Sequence, residues 1–153
     1  MKDMVPRLGE IGLANYPPYL MNRIMGRYNA AIRAEMAKLG LTTPKMRALA
    51  VLSVIDGQLI GQLAVYAIVE QSTLSRAVDA LEADALVRRA ADAADSRAVR
   101  VFITEAGRTA FETLWPHMAE TYQDMFAGID PDEQRAFVAT LQKIHDNTRK
   151  SEV

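Results

Sequence analysis

Apolar side chains recur every three or four positions along most of this chain, which is the pattern of amphipathic helices. The longest such segment covers residues 16–39, with two prolines near its start and a glycine after its end. Three shorter segments with the same period follow at residues 42–55, 59–66 and 70–84. The pattern therefore predicts four helices in the first half of the chain.

The helical period stops after these segments. Residues 86–89 and 99–103 are predicted to form two short strands, joined by a loop of polar and small residues at 90–98. The helical pattern then returns, with Thr104 expected to cap one helix and a last helix expected to begin at residue 130. The predicted fold class is therefore mainly α with a small β-hairpin.

The order of elements between residues 42 and 107 is that of a winged helix-turn-helix. In the helix at 70–84, the spacing of Leu74, Val78 and Leu81 places them toward a core. The polar side chains on the other side, near the start of the helix, are Ser72, Thr73, Ser75 and Arg76. Small hydroxyls allow close approach to a DNA groove, and an arginine can donate two hydrogen bonds to guanine. The alternative is that the hydroxyls only cap the helix and the arginine is a solvated charge.

The tip of the predicted hairpin reads Asp95-Ser96-Arg97, and it is flanked by Arg88, Arg89 and Arg100. A basic group on a protruding loop can enter a minor groove or contact the DNA backbone. The aspartate is interpreted as a turn former that also orients Arg97. The alternative is a surface ion pair, which contributes little.

The overall charge does not by itself indicate DNA binding, because the net charge is −1. Residues 21–50 carry six basic groups against one acid, whereas residues 105–153 carry nine acids against five bases. This asymmetry is consistent with one face toward phosphates, and equally with solvated helix surfaces. Residues 68–100 carry six acids against five arginines, so any DNA affinity is expected to be modest and strongly salt-dependent.

Taken together, these segments resemble the MarR family of bacterial and archaeal transcription regulators. The segments that carry the resemblance are Ser72-Thr73-Leu74-Ser75-Arg76, Leu86-Val87-Arg88-Arg89, Asp95-Ser96-Arg97 and Thr104-Glu105-Ala106-Gly107. The similarity continues in helix order over nearly the whole chain. It implies a DNA-binding transcriptional regulator, a repressor or an activator with the repressor favoured, that acts as a homodimer.

The resemblance also implies an arrangement of parts. Residues 1–40 and 105–153 would supply dimerisation helices, and residues 41–104 the DNA-binding lobe. Recognition helices would enter successive major grooves and wings the minor grooves, so the operator in double-stranded DNA is expected to be a pseudo-palindrome with half-sites about 10 bp apart. The residues that it places at the DNA are Thr43, Lys45, Ser72, Thr73, Ser75, Arg76, Asp95 and Arg97. Of these, Thr43 and Lys45 would lie near the backbone, and Asp95 would support Arg97.

Two positions depart from the family pattern. Ile68 stands in the helix-turn-helix turn and Ala85 follows the recognition helix, where the family commonly has glycine. A branched side chain at positive φ costs about 1 kcal/mol or more. We therefore expect these turns to adopt a different backbone, or the preceding helix to extend.

Many members of the family release DNA when a small aromatic or phenolic anion binds between the dimerisation helices and the DNA-binding lobe. The residues that would line such a cleft here are Tyr16, Tyr19, Arg23, Met46 and Arg47. Aromatic and thioether groups with one cation suit an aromatic carboxylate. The alternative is that tyrosine and methionine at helical spacing belong to the core.

Other kinds of chemistry find little support in the sequence. The absence of cysteine excludes disulfides and thiolate metal sites, and the two histidines have no obvious catalytic partners, so we expect no enzyme activity, metal or cofactor. No segment resembles a signal peptide or a membrane span, so a cytoplasmic protein without membrane contact is expected. Two alternatives stay open: a dimeric winged helix used for protein–protein contact without DNA binding, and a small-molecule-binding protein without a DNA role. Salt-sensitive DNA binding distinguishes the first interpretation from both.

Overall fold

Seven α-helices and a three-stranded sheet make up the part of the chain that this computed structural model describes, residues 5–149. In chain order these elements are α1 (Leu8–Ile11), a 3-10 turn (Leu13–Asn15), α2 (Pro17–Lys38), α3 (Thr43–Val54), β1 (Gln58–Leu59), α4 (Ile60–Ala67), α5 (Gln71–Ala83), β2 (Val87–Ala91), β3 (Val99–Ile103), α6 (Glu105–Met125) and α7 (Pro131–Arg149). The structure confirms the predicted fold class and the order of four main helices, a hairpin and two further helices. The short α1 and the 3-10 turn were not predicted.

The sheet is antiparallel with the order β1-β3-β2. In the hairpin, Val87 pairs with Ile103 and Ala91 with Val99, so β2 is longer than predicted. The additional strand β1 pairs Gln58 with Val101 on the other edge of β3. A strand of two residues has no readable hydrophobic period, which is why the sequence did not indicate it. Its pairing attaches the wing to the segment that precedes α4.

The core of the winged-helix lobe is a cluster of apolar side chains from α2 to α6 and the sheet. The leucines without solvent exposure in this cluster are Leu49, Leu52, Leu63, Leu74, Leu81 and Leu114. Val78 on α5 and Val101 on β3 are equally buried. Because truncation of such a side chain to alanine costs about 2–5 kcal/mol, this packing holds α5 firmly against the lobe.

The expectation for Ile68 and Ala85 was wrong. Both residues keep the left-handed conformation, with φ of 58° and 59°. Each ends its helix with the hydrogen bond that closes a Schellman turn: the Val69 N–H donates to the Ala64 carbonyl at 3.1 Å, and the Leu86 N–H to the Leu81 carbonyl at 2.9 Å.

Tertiary contacts outweigh the local cost of these two turns. The residues that follow them, Val69 and Leu86, pack against the core cluster, which requires the chain to reverse at this point. The carbonyl of Ile68 accepts a hydrogen bond from Arg47 Nη1 at 3.1 Å, and the carbonyl of Ala85 accepts one from Thr104 Oγ1 at 2.7 Å. The backbone strain of about 1–2 kcal/mol at each position is therefore offset by core burial and by a satisfied carbonyl.

The chain divides into two compact units after Met118. In the second unit, Phe126 packs against the rings of Tyr122 and Phe137, with centroid distances of 5.5 and 6.1 Å. Gln134 Nε2 donates to the Tyr122 hydroxyl at 2.6 Å. None of the described residues of α7 is buried, so its apolar stripe remains open to solvent in the single chain.

Candidate nucleic-acid interface

Helix α5 presents two distinct faces. Leu74, Val78 and Leu81 are fully buried, as the spacing predicted, whereas Arg76 is exposed and makes no ion pair with any residue that the structure describes. Ser72 is exposed, and Thr73 and Ser75 are half-buried. The polar group predicted from the sequence therefore lies on the solvent side of the helix start, where the first N–H groups of the helix also lack helical partners.

A carboxylate stands at the N-cap of this helix. Ser72 Oγ donates to Glu70 Oε1 at 2.7 Å, so its hydroxyl already has a partner in the free protein. A phosphate or base that uses this hydroxyl must exchange that bond. The acid therefore lowers the electrostatic attraction of the helix start for DNA.

The wing tip places Arg97 almost entirely in solvent, with 93% of its side chain exposed. Asp95 Oδ1 accepts a hydrogen bond from the backbone N–H of Arg97 at 3.0 Å and lies 3.7 Å from Arg97 Nε. The aspartate thus shapes the turn and orients the arginine, as interpreted from the sequence.

Two of the three arginines that flank the tip form ion pairs with acidic side chains. Arg89 donates to Asp79 at 2.5 Å and to Glu82 at 3.0 Å, both on α5. Partial burial lowers the pKa of Arg89, but its hydrogen bonds to Asp79 and Glu82 outweigh this and raise it overall. Arg100 pairs with Asp92 at the base of the wing loop. The Arg89 contacts join β2 to α5, and the Arg100 contact joins β3 to the wing loop. Both arginines therefore have little charge left for phosphates.

The third arginine, Arg88, is exposed, and its guanidinium carbon lies 4.4 Å from the centroid of the Phe102 ring. A groove of about 420 Å³ separates the recognition helix from the wing, and its lining includes Ser75, Arg89 and Val99. At the start of α3, Thr43 is exposed and Lys45 is half-buried. The structure thus keeps the predicted DNA-contact residues accessible on three separate elements.

The residues predicted to bind an effector differ in their exposure and in their contacts. Arg23 Nη1 donates to the Tyr19 hydroxyl at 2.9 Å, and the arginine also lies 5.8 Å from the centre of that ring. Tyr16 is exposed at the start of α2. Met46 is buried in the core of the lobe, and Arg47 donates to the turn at Ile68. The structure therefore brings the Tyr19–Arg23 pair together, leaves Tyr16 exposed, and gives Met46 and Arg47 structural contacts.

Comparison with known proteins decides the family. A sequence model of the MarR family matches residues 39–98. A transcriptional regulator of the MarR family from Silicibacter pomeroyi is 57% identical, and its crystal structure superposes with a TM-score of 0.91 over 97% of this chain and 100% of that chain. The chain belongs to the MarR family. It is accordingly a DNA-binding transcriptional regulator, and regulators of this family bind DNA as dimers.

Two further relatives are similar over most of their length. The transcriptional repressor IacR of Pseudomonas putida is 27% identical over 93% of this chain and 85% of its own. BpsR of Bordetella bronchiseptica, whose DNA binding is regulated by 6-hydroxynicotinic acid, is 25% identical with a TM-score of 0.76, over 93% of this chain and 99% of that chain. The family is one of transcriptional regulators, which are not enzymes in general.

Residues 5–149 contain neither a candidate metal site nor a candidate membrane-spanning helix. The described residues contain no group of three or more histidine, aspartate or glutamate side chains placed to hold a metal. Within the same range, none of the helices has the length and apolar character needed to cross a membrane.

Sequence reasoning about this MarR-type site missed the residues that hold it in place. Asp56 Oδ1 accepts the backbone N–H of Ile103 at 2.9 Å, and the carbonyl of Gly57 accepts a hydrogen bond from Arg100 at 2.7 Å. The signal in the sequence is the Asp56-Gly57 pair, which directly follows the helical segment predicted at residues 42–55. Its partners lie more than 40 positions away, where no local pattern points to them.

Proposed function

We propose that this MarR-family protein is a repressor that binds a pseudo-palindromic operator as a homodimer, with α5 in the major groove and Arg97 in the minor groove. The observation that carries the proposal is the contrast among the arginines of the lobe. Arg76 on the recognition helix and Arg97 at the wing tip are exposed, whereas Arg89 and Arg100 are held by acids of the same chain. Arg97 keeps 93% of its side chain in solvent although Asp95 lies 3.7 Å away, and Arg76 makes no ion pair with a described residue. The recognition helix and the wing tip therefore each present a cation that DNA can reach.

In the major groove, Arg76 supplies the base-specific contact, since a guanidinium matches the two acceptors of guanine. Ser72, Thr73 and Ser75 are small enough for close approach of the helix and donate to bases or phosphates. Thr43 and Lys45, at the start of α3, contact the backbone and set the position of the lobe.

The dimer forms through the regions outside the DNA-binding lobe, residues 1–40 and 105–153. In the single chain, Leu20 and Ile24 on α2 are 40% and 45% exposed, and Phe137 and Ile144 on α7 are 44% and 39% exposed. Large apolar side chains at helical spacing are costly to leave in water, and a second copy of the chain covers them.

We extend the proposal to an effector, a small aromatic anion that releases the operator. The support is the regulation of BpsR by 6-hydroxynicotinic acid and the Tyr19–Arg23 pair, which offers a ring and a cation side by side. The candidate cleft also includes Tyr16 and Arg47, whereas Met46 is buried in the core and is left out of it. A ligand that draws Arg47 away from the Ile68 carbonyl acts directly on the helix-turn-helix turn.

The test of DNA binding is fluorescence anisotropy with DNA from upstream of the protein's own gene, titrated with salt and with scrambled competitor. Specific binding that weakens with salt supports the proposal. If that DNA is not bound specifically, a selection from random sequences follows. Failure of both overturns the proposal in favour of a protein partner.

The effector is tested on the same complex. Addition of 6-hydroxynicotinic acid and related aromatic carboxylates is expected to lower the anisotropy, and Arg23→Gln is expected to weaken this response without changing operator affinity. If the wild-type response is unchanged in Tyr19→Phe and Arg23→Gln, the cleft has been assigned to the wrong residues.

A further inference from the structure

Arg100 occupies the centre of a contact chain that joins the wing to the body of the lobe. Its Nε pairs with the carboxylate of Asp92, and its Nη1 donates to the carbonyl of Gly57 at 2.7 Å. Gly57 precedes β1, 43 positions earlier in the chain. One planar guanidinium therefore bridges the base of the wing loop and a fixed point of the lobe.

The Asp92 end of this bridge organises the loop that carries the tip. Asp92 Oδ2 accepts the backbone N–H groups of Ala94 and Asp95 at 3.1 and 3.0 Å, and the Asp92 N–H donates to the Ala98 carbonyl at 2.9 Å. Asp95 in turn holds the backbone N–H of Arg97. The contacts thus run without interruption from Arg100 to the arginine at the tip.

The Gly57 end of the Arg100 bridge is fixed by its backbone conformation and by the contacts of its neighbours. Its φ is 67°, and a Cβ at this position would lie 2.9 Å from the ring of Phe102, so this turn requires glycine. The neighbouring Asp56 accepts the N–H of Ile103 at 2.9 Å and lies 3.6 Å from the guanidinium of Arg108 on α6. The carbonyl that Arg100 uses is therefore anchored to β3 and to the start of α6.

We propose that Arg100 is a positioning residue, which fixes the wing tip in the place from which Arg97 reaches DNA. The inference rests on the proposed minor-groove role of Arg97. A loop that is already ordered in the free protein loses less conformational entropy on binding. Arg100 then contributes to operator affinity without touching DNA.

The contacts of Arg100 depend on the shape of its guanidinium as well as on its positive charge. The planar fork of arginine donates in two directions at once, to a carboxylate and to a carbonyl. A lysine at the same position keeps the positive charge but has no fork. Arg100→Lys therefore separates the effect of charge from the effect of geometry, and Arg100→Gln removes the charge.

The first measurement uses the protein without DNA. Because the chain has no cysteine, Ser96→Cys accepts a single nitroxide label at the wing tip. We expect Arg100→Lys and Arg100→Gln to increase the mobility of this label by electron paramagnetic resonance. Arg135→Lys, an exposed ion-pair arginine on α7, is the matched control and is expected to leave the mobility unchanged. Unchanged mobility in both Arg100 variants overturns the inference whether or not the wing binds DNA.

The second measurement is operator affinity as a function of salt. Both Arg100 variants are expected to bind roughly fivefold more weakly, with an unchanged slope of log K against log salt. Arg97→Ala is expected to lower that slope by about one, because a cation inserted in the minor groove neutralises phosphate charge there and releases counterions. Methylation protection of guanine N7 in the major groove should persist in the Arg100 variants.

The remaining outcomes are equally decisive. Wild-type affinity in Arg100→Lys together with a reduced slope in Arg100→Gln identifies Arg100 as a direct phosphate contact and overturns the inference. Loss of guanine N7 protection together with a large drop in melting temperature assigns Arg100 to the stability of the whole lobe, which also overturns it. If Arg97→Ala has no effect, the proposed wing contact fails, while the mobility measurement still decides the role of Arg100.

Discussion

Replacement of Ile68 by glycine is predicted to stabilise the protein. Ile68 adopts φ 58° and ψ 48° at the end of α4, where a side chain with a Cβ is strained. Its side chain is 78% exposed, so the substitution removes little buried apolar surface. The left-handed conformation costs a residue other than glycine about 1–2 kcal/mol. This relief exceeds the additional chain entropy of glycine in the unfolded state, about 0.5–1 kcal/mol.

The net gain expected from Ile68→Gly is therefore about 0.5–1 kcal/mol of unfolding free energy. For a chain of this size, that corresponds to a rise in melting temperature of about 1–4 °C. The assay is thermal and urea unfolding at one fixed protein concentration, because dimerisation makes the transition concentration-dependent. The Arg47 contact to the carbonyl of residue 68 does not involve the side chain and is retained.

Ile68→Ala is the control that separates strain from surface chemistry. Alanine removes the exposed hydrophobic side chain but keeps the Cβ that causes the strain, so its gain is expected to be much smaller. Equal stabilisation by alanine and glycine would show that exposed apolar surface, and not the backbone, is the cause. A destabilised glycine variant refutes the reasoning altogether.

Three further predictions follow from the same contacts. Gly107→Ala should destabilise the fold by about 3 kcal/mol in urea unfolding, because the new Cβ would lie 2.1 Å from the carbonyl oxygen of Leu86. The control is Gly26→Ala, at a position on α2 where a Cβ meets no neighbouring atom. This control should stabilise the fold by about 0.5–1 kcal/mol. Arg76→Ala should reduce discrimination between the operator and a site with a substituted guanine by about 1–3 kcal/mol in competition binding, with an unchanged melting temperature. Hydrogen bonds from Arg100 on β3 and from the backbone N–H groups of Ala94 and Asp95 lower the pKa of Asp92. The stability that Asp92 gives to the wing loop is therefore complete above the usual pKa of an aspartate, about 3.9. It is lost as the pH falls through the lower folded value. A nitroxide at the wing tip should become more mobile only as the pH falls below about 4, whereas Asp92→Asn should show high mobility at every pH. A label in the Asp92→Asn variant that stays immobile at neutral pH contradicts this.

The amino-acid sequence determined the elements and their order. A helix or a strand of five or more residues can be predicted from the period of its apolar side chains, because that period depends only on neighbouring positions. The burial of Leu74, Val78 and Leu81 and the exposure of Arg76 on α5 followed from the same rule. The MarR resemblance rested on short segments of this kind, and it was confirmed.

The tertiary structure decided which charges are available and which backbone conformations are tolerated. Arg88, Arg89 and Arg100 look alike in the sequence, but carboxylates of α5 and of the wing loop hold the latter two. Ile68 and Ala85 take a conformation that local preference opposes, because the residues after them are drawn into the core and the carbonyls are bonded from α3 and from Thr104. Both results depend on partners distant in the chain, whose contribution exceeds the local preference of about 1–2 kcal/mol.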